Sequence, residues 1–133
     1  MSTLKTGKVK TTTIADELDT ESTAVTNVIN GSAKAWVNYD QYTGATITIR
    51  ASFNVSSMVD VAAGKATINF STPFEDANYC CASMTGHASV DGAARMLEYD
   101  QDDSKTASAI NVRTVYDWFN IYDCAEVYFL AFR

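Results

Sequence analysis

The chain has 133 residues, 47% of them hydrophobic and 20% charged, with 10 Lys+Arg against 16 Asp+Glu for a net charge of −6. That is one ordinary domain's worth of sequence with enough apolar material for a core, which excludes disorder as its organising principle. The acidic balance argues against nucleic-acid binding and attachment to an anionic membrane, and no apolar run approaches the roughly 20 residues a membrane helix needs.

Residues 1–30 differ in texture from the rest. The opening Met1-Ser-Thr-Leu-Lys5 lacks the apolar stretch of a signal peptide. Lys5, Lys8 and Lys10 precede Asp16, Glu17, Asp19 and Glu21, while Ile14, Leu18, Val25, Val28 and Ile29 are spaced in a partly helical way. Thr13 is a candidate helix cap with Glu17 nearby. Thr and Val dominate, however, and β-branched residues resist helices. The stretch reads as an attachment or oligomerisation arm that orders against a partner, with room for one short helix.

From Lys34 onward the pattern becomes period two, and residues 31–133 read as one β-domain. In residues 45–55, Ile47, Ile49, Ala51, Phe53 and Val55 share one face, with Thr46, Thr48, Arg50, Ser52 and Asn54 on the other. Residues 65–71 place Ala66, Ile68 and Phe70 inward; residues 108–115 set Ser108, Ile110, Val112 and Thr114 against Ala109, Asn111, Arg113 and Val115. Turn signals separate these runs at 40–44, 63–64, 71–73, 86–92 and 100–104. Short strands at this spacing, without a long helical interruption, predict an all-β fold: an antiparallel β-sandwich, jelly-roll-like or Greek-key.

Two segments are apolar on both faces. Residues 126–132 read Glu-Val-Tyr-Phe-Leu-Ala-Phe, and Ala35, Trp36, Val37 and Tyr39 behave likewise. A strand in a small sandwich is expected to keep one wet face. Two dry faces imply a second burial surface, supplied by another subunit or by the arm. Trp36, Tyr39, Tyr128, Leu130 and Phe132 are therefore the candidate oligomer-interface residues. The alternative is a central strand with scattered exposed aromatics.

Cys80, Cys81 and Cys124 are odd in number, and two are adjacent, which does not suit a secreted disulfide framework. Neighbours on a strand point to opposite faces, so Cys80 and Cys81 cannot easily bond each other. Three reduced thiols serving as small core residues are expected.

The string Asn30-Gly-Ser-Ala-Lys-Ala-Trp-Val-Asn-Tyr39 resembles the "GSAKAWVNF" opening of a domain found in bacteriophage tail-fibre and related virion proteins, frequent in phages of cyanobacteria and marine bacteria. Ile49-Arg-Ala-Ser-Phe-Asn-Val-Ser-Ser57 is similar to that family's "IRASFNVSS". Ala66-Thr-Ile-Asn-Phe70, Asp76-Ala-Asn-Tyr79 and Val127-Tyr-Phe-Leu-Ala-Phe-Arg133 are similar to its "YTVNF", "DANY" and "V.VAVFR" segments. The resemblance implies a non-enzymatic virion component, β-rich and homotrimeric, made in the host cytoplasm and contacting other tail or capsid proteins. The expected function is tail-fibre-type host-surface attachment; the alternative is a capsid decoration or cement protein covering the particle. The chain departs from the family at residues 116–122, where aromatics replace a small polar turn, and at Cys80-Cys81.

The run Tyr116-Asp-Trp-Phe-Asn-Ile-Tyr-Asp123 falls between the last two predicted strands. Aromatic faces beside carboxylates and amides suit a host-surface glycan or protein, which makes Tyr116, Asp117, Trp118, Phe119, Asn120 and Tyr122 the receptor-binding candidates. The alternative is that these rings plug the end of the sandwich or a subunit seam. Asp100-Gln-Asp-Asp-Ser104 lacks the glycine and distal Glu of a calcium loop, so a solvated hairpin is expected. His87 lacks companion ligands, and its neighbours Ser89 and Asp91 do not make a triad by sequence proximity alone. No enzyme activity, cofactor, metal or membrane insertion is expected.

Overall fold

A computed structural model of the chain describes residues 13–15, 22–42, 46–86, 95–100, 105–116 and 120–133. The chain divides into two compact units, Met1–Ser32 and Ala33–Arg133. In the first, β1 (Thr13–Ala15) pairs antiparallel with β2 (Ser22–Ala24), followed directly by the helix α1 (Val25–Gly31). Thr13, the candidate cap, instead sits in the ribbon, opposite Ala24. The helix starts at Val25 behind Ala24, without a side-chain cap.

The second unit is the all-β sandwich the periodicity predicts. One sheet has the order β4-β3-β10-β7 and the other β5-β6-β9-β8, with every pairing antiparallel. Their ranges are β3 Ala33–Asp40, β4 Thr48–Phe53, β5 Val55–Ala62, β6 Lys65–Phe70, β7 Cys80–Thr85, β8 Met96–Tyr99, β9 Ala109–Val115 and β10 Val127–Phe132. Ala35, Val37 and Tyr39 of β3 and Val127, Phe129 and Ala131 of β10 meet Ala66, Ile68 and Phe70 of β6 and Ile110 and Val112 of β9 in the core. Phe70, Phe74 and Tyr79 close one end of it as a ring cluster with centroids 4.4–5.6 Å apart.

Residues 45–55 do not form one strand with one apolar face. A bulge between Asn38 and Tyr39 in the pairing skips Arg50, so Tyr39 faces Ile49 while Asn38 faces Ala51 and Trp36 faces Phe53. The extra residue reverses the phase. Ala51 and Phe53 consequently point away from the core, and Phe53 is 54% exposed. Asn54 then turns the chain from β4 into β5, in the other sheet, with φ 55°. Its amide donates to the carbonyls of Lys34 and Thr72 at 3.0 Å each, and its side-chain oxygen accepts the Thr72 N–H at 2.7 Å. Asn54→Ala is expected to cost about 2 kcal/mol, from the left-handed backbone and the lost bonds together, read as a lower chemical-denaturation midpoint.

Tyr39, expected at a subunit interface, lies fully buried in the core on the inner face of β3. Burial, reinforced by nearby Cys124, pushes its phenol well above the ordinary range. The three cysteines are unbonded: Cys124 is buried, and Cys80 and Cys81 are exposed. Cys80 pairs opposite Phe132 and Cys81 opposite Ala131, so the two thiols lie on opposite faces, as alternation requires.

Candidate functional site

The two sheets present very different outer faces. On β5-β6-β9-β8 the centre of the face is polar and ion-paired, while Val59 of β5 and Met96 of β8 stand exposed on its edge strands. Lys65 bonds the buried Asp100 at 2.7 Å, Arg113 reaches Asp100 at 3.8 Å and Glu98 at 3.1 Å, and Thr67 donates to Asn111 at 2.5 Å.

The outer face of β4-β3-β10-β7 is apolar. Alternation sends Val127, Phe129 and Ala131 inward and leaves Tyr128, Leu130 and Phe132 half-buried on the outside. The register assembles three rows across the sheet. The first is Ala51, Asn38, Tyr128 and Met84; the second is Phe53, Trp36, Leu130 and Ala82; the third is Ala33, Phe132 and Cys80. No residue of these rows carries a formal charge. Met84 is 65% exposed and Trp36 37%. Ion pairs lie at both ends: Asp40 with Arg50 at 2.9 Å beyond the first row, and Arg133 with Asp76 and Glu75 beyond the third. An apolar centre with a polar rim is the anatomy of a protein–protein contact.

Four of the five interface candidates, Trp36, Tyr128, Leu130 and Phe132, thus share this surface, and Tyr39 does not. Sequence reasoning missed Phe53 and Ala51, hidden by the bulge, and Met84 and Ala82 on β7, whose sequence Cys-Cys-Ala-Ser-Met-Thr has no strong alternation.

At the end of β9, Tyr116 N–H donates to the Asn120 carbonyl, Val115 bridges Ile121, and Tyr122 N–H donates to the Thr114 carbonyl, so the chain doubles back. Tyr116 and Tyr122 stay about half exposed, with ring centroids 6.5 Å apart, and the Arg95 guanidinium lies 5.6 Å from the Tyr122 ring. Asn120 is exposed. The other receptor-binding candidates, Asp117, Trp118 and Phe119, lie outside the described residues, as do His87, Ser89, Asp91 and residues 101–104. Among the described residues, no three His, Cys, Asp or Glu side chains converge as a metal site.

At the third-row end, a cleft of about 690 Å³ is lined by Lys34, Phe53, Asn54, Phe74, Glu75 and Arg133, among others. The Asn78 N–H, which Asp76 accepts at 2.6 Å, and then Arg133 hold the Asp76 carboxyl below the usual carboxylate range. A depressed folded pKa contributes stability above the ordinary carboxylate value, lost as pH falls through the depressed one. In an NMR titration Asp76 is expected to protonate later than an unpaired Asp on acidification. Arg133→Gln restores only part of the difference, because the Asn78 amide is the larger cause.

Comparison of the chain with protein-family models, curated proteins and solved structures returned no match.

Proposed function

We propose that the chain is a structural subunit of a bacteriophage particle, of the tail-fibre type, that works in several copies and displays its sandwich for attachment to the host surface. The observation that carries the assembly half of this reading is the uncharged, solvent-facing sheet surface centred on Leu130. A chain working alone would leave that area in contact with water, whereas one in an assembly covers it. The virion half rests on the sequence resemblance. Its segments form the end of α1 with β3, β4 with the β4–β5 corner, β6 and β10, together with the loop that places Tyr79 in the core. In this reading Tyr116, Asn120 and Tyr122 stand at one end of the sandwich, available to a receptor.

Purified particles from the phage that encodes the chain provide the test. Mass spectrometry is expected to find the chain at the low copy number of a fibre, and antiserum raised against it is expected to block adsorption. A copy number matching the capsid lattice moves the assignment to a decoration protein. Absence from the particle overturns the virion reading.

A further inference from the structure

We infer that the outer face of β4-β3-β10-β7 docks on the same face of a second copy of this chain, the two related by a two-fold axis lying between the sheets and roughly parallel to the strands. This rests on reading that face as an assembly surface, and it names the occupant.

Charge comes first. Each copy carries −6, so two copies repel unless they meet where neither presents charge. The three rows offer such a place, and their ion pairs are confined to the ends. A partner chosen for opposite charge would instead select an acidic surface.

The second argument is the order of side-chain sizes across the sheet. Such a two-fold keeps each row level and reverses it left to right, so β4 of one copy lies over β7 of the other, and β3 over β10. In the second row Phe53 then faces Ala82, and Trp36 faces Leu130. In the first row Ala51 faces Met84 and Asn38 faces Tyr128, while in the third Ala33 faces Phe132. At Phe53, Met84 and Phe132 a large side chain meets an alanine, which is how packed layers interdigitate. The large residues sit on β4 in one row and on β7 in the next, so neither edge is overfilled. An isologous contact requires this self-complementarity. The homotrimer that the resemblance implies would join two different patches and leave this pattern unused, so the two-fold pairing is proposed in its place. Two right-twisted sheets packed face to face cross at about 30°, a modest departure over four strands.

The test exchanges sizes across the proposed axis in the full chain. Phe53 and Ala82 lie on opposite edges of the sheet, both exposed, so substitutions there spare the core. The wild type is expected to be a concentration-dependent dimer by sedimentation equilibrium. Phe53→Ala and Ala82→Phe alone are each expected to weaken it about tenfold, and the double variant to recover most of that loss, because large and small have traded places. Circular dichroism melts verify that every variant is folded. A trimer, or a double variant no better than the singles, overturns the two-fold pairing while leaving a multi-copy protein. A wild type that stays monomeric at every concentration overturns the assembly surface itself, and protection of Trp36 in that monomer would identify the chain's own arm as the cover.

Discussion

Gly64→Ala is expected to be among the most damaging single substitutions in the sandwich, costing about 3 kcal/mol or more and lowering the melting temperature by about 10 °C. Gly64 turns β5 into β6 with φ 68°, where an L side chain is strained by about 1–2 kcal/mol. Space is the larger problem. A Cβ at this position would lie 2.6 Å from the Tyr122 nitrogen and 2.8 Å from its carbonyl oxygen, with the Ile121 Cγ2 nearer still. Two of these three atoms are backbone, so they cannot rotate away. The turn is also tied on both sides: Gly64 N–H donates to the Asp123 carboxylate at 2.6 Å, and its carbonyl accepts the Thr114 N–H at 2.7 Å. Moving the turn to admit a methyl group would break those bonds and disturb the strand return that carries Tyr122. Thermal unfolding by circular dichroism checks this, and a melting temperature within about 2 °C of wild type would show that the turn yields.

Phe129→Ala and Leu130→Ala, adjacent in sequence, are expected to separate folding from assembly. Phe129 is 2% exposed, packed among β3, β6 and β9 at the centre of the core. Truncating it removes the burial of a large ring and leaves a cavity, a loss of about 3–5 kcal/mol. Leu130 occupies the outer face between Trp36 and Ala82, so the same truncation is expected to cost an isolated copy only about 1 kcal/mol. Its effect falls on self-association, as a weaker dimer in sedimentation. Equal destabilisation by the two variants in denaturant would mean that both faces of β10 are packed within one copy.

The contrast between these neighbours shows where sequence pattern informs and where it stops. Alternation fixes parity: it states that residues 66, 68 and 70 share a side, and the buried trio of β6 follows it. Where one face is polar, as with Lys65, Thr67 and Asn69, parity also tells inside from outside. In β3 both faces are apolar, so parity separates Trp36 from Tyr39 without saying which meets the core, and it is Tyr39 that does. In β10 parity groups Tyr128, Leu130 and Phe132 on one side, and in the structure that side is the outer one. Phe53 was lost for another reason. A bulge adds one residue without a sequence signature of its own, and every side chain beyond it changes face. The helix was displaced for a third: Thr13 offers a good cap, but its segment pairs with residues 22–24, a tertiary choice that local propensity does not encode. The aromatic return between β9 and β10 was legible as a connection from its position alone.

The placement of β10 carries one more consequence. It is the last strand of the sandwich, yet it lies between β3 and β7, and in their sheet those two strands are joined only through it. As the chain leaves the ribosome, the polar sheet can close once β9 has emerged, while the other remains split into the β3–β4 hairpin and a solitary β7. Completing it requires residues 33–40 and 127–132, roughly ninety positions apart, to find each other. Such long-range closure is slow and exposes unpaired edges meanwhile. The newborn chain is therefore most prone to aggregate just before residues 127–132 emerge, and a stall or truncation ahead of Val127 would leave a half-built sheet rather than a smaller domain.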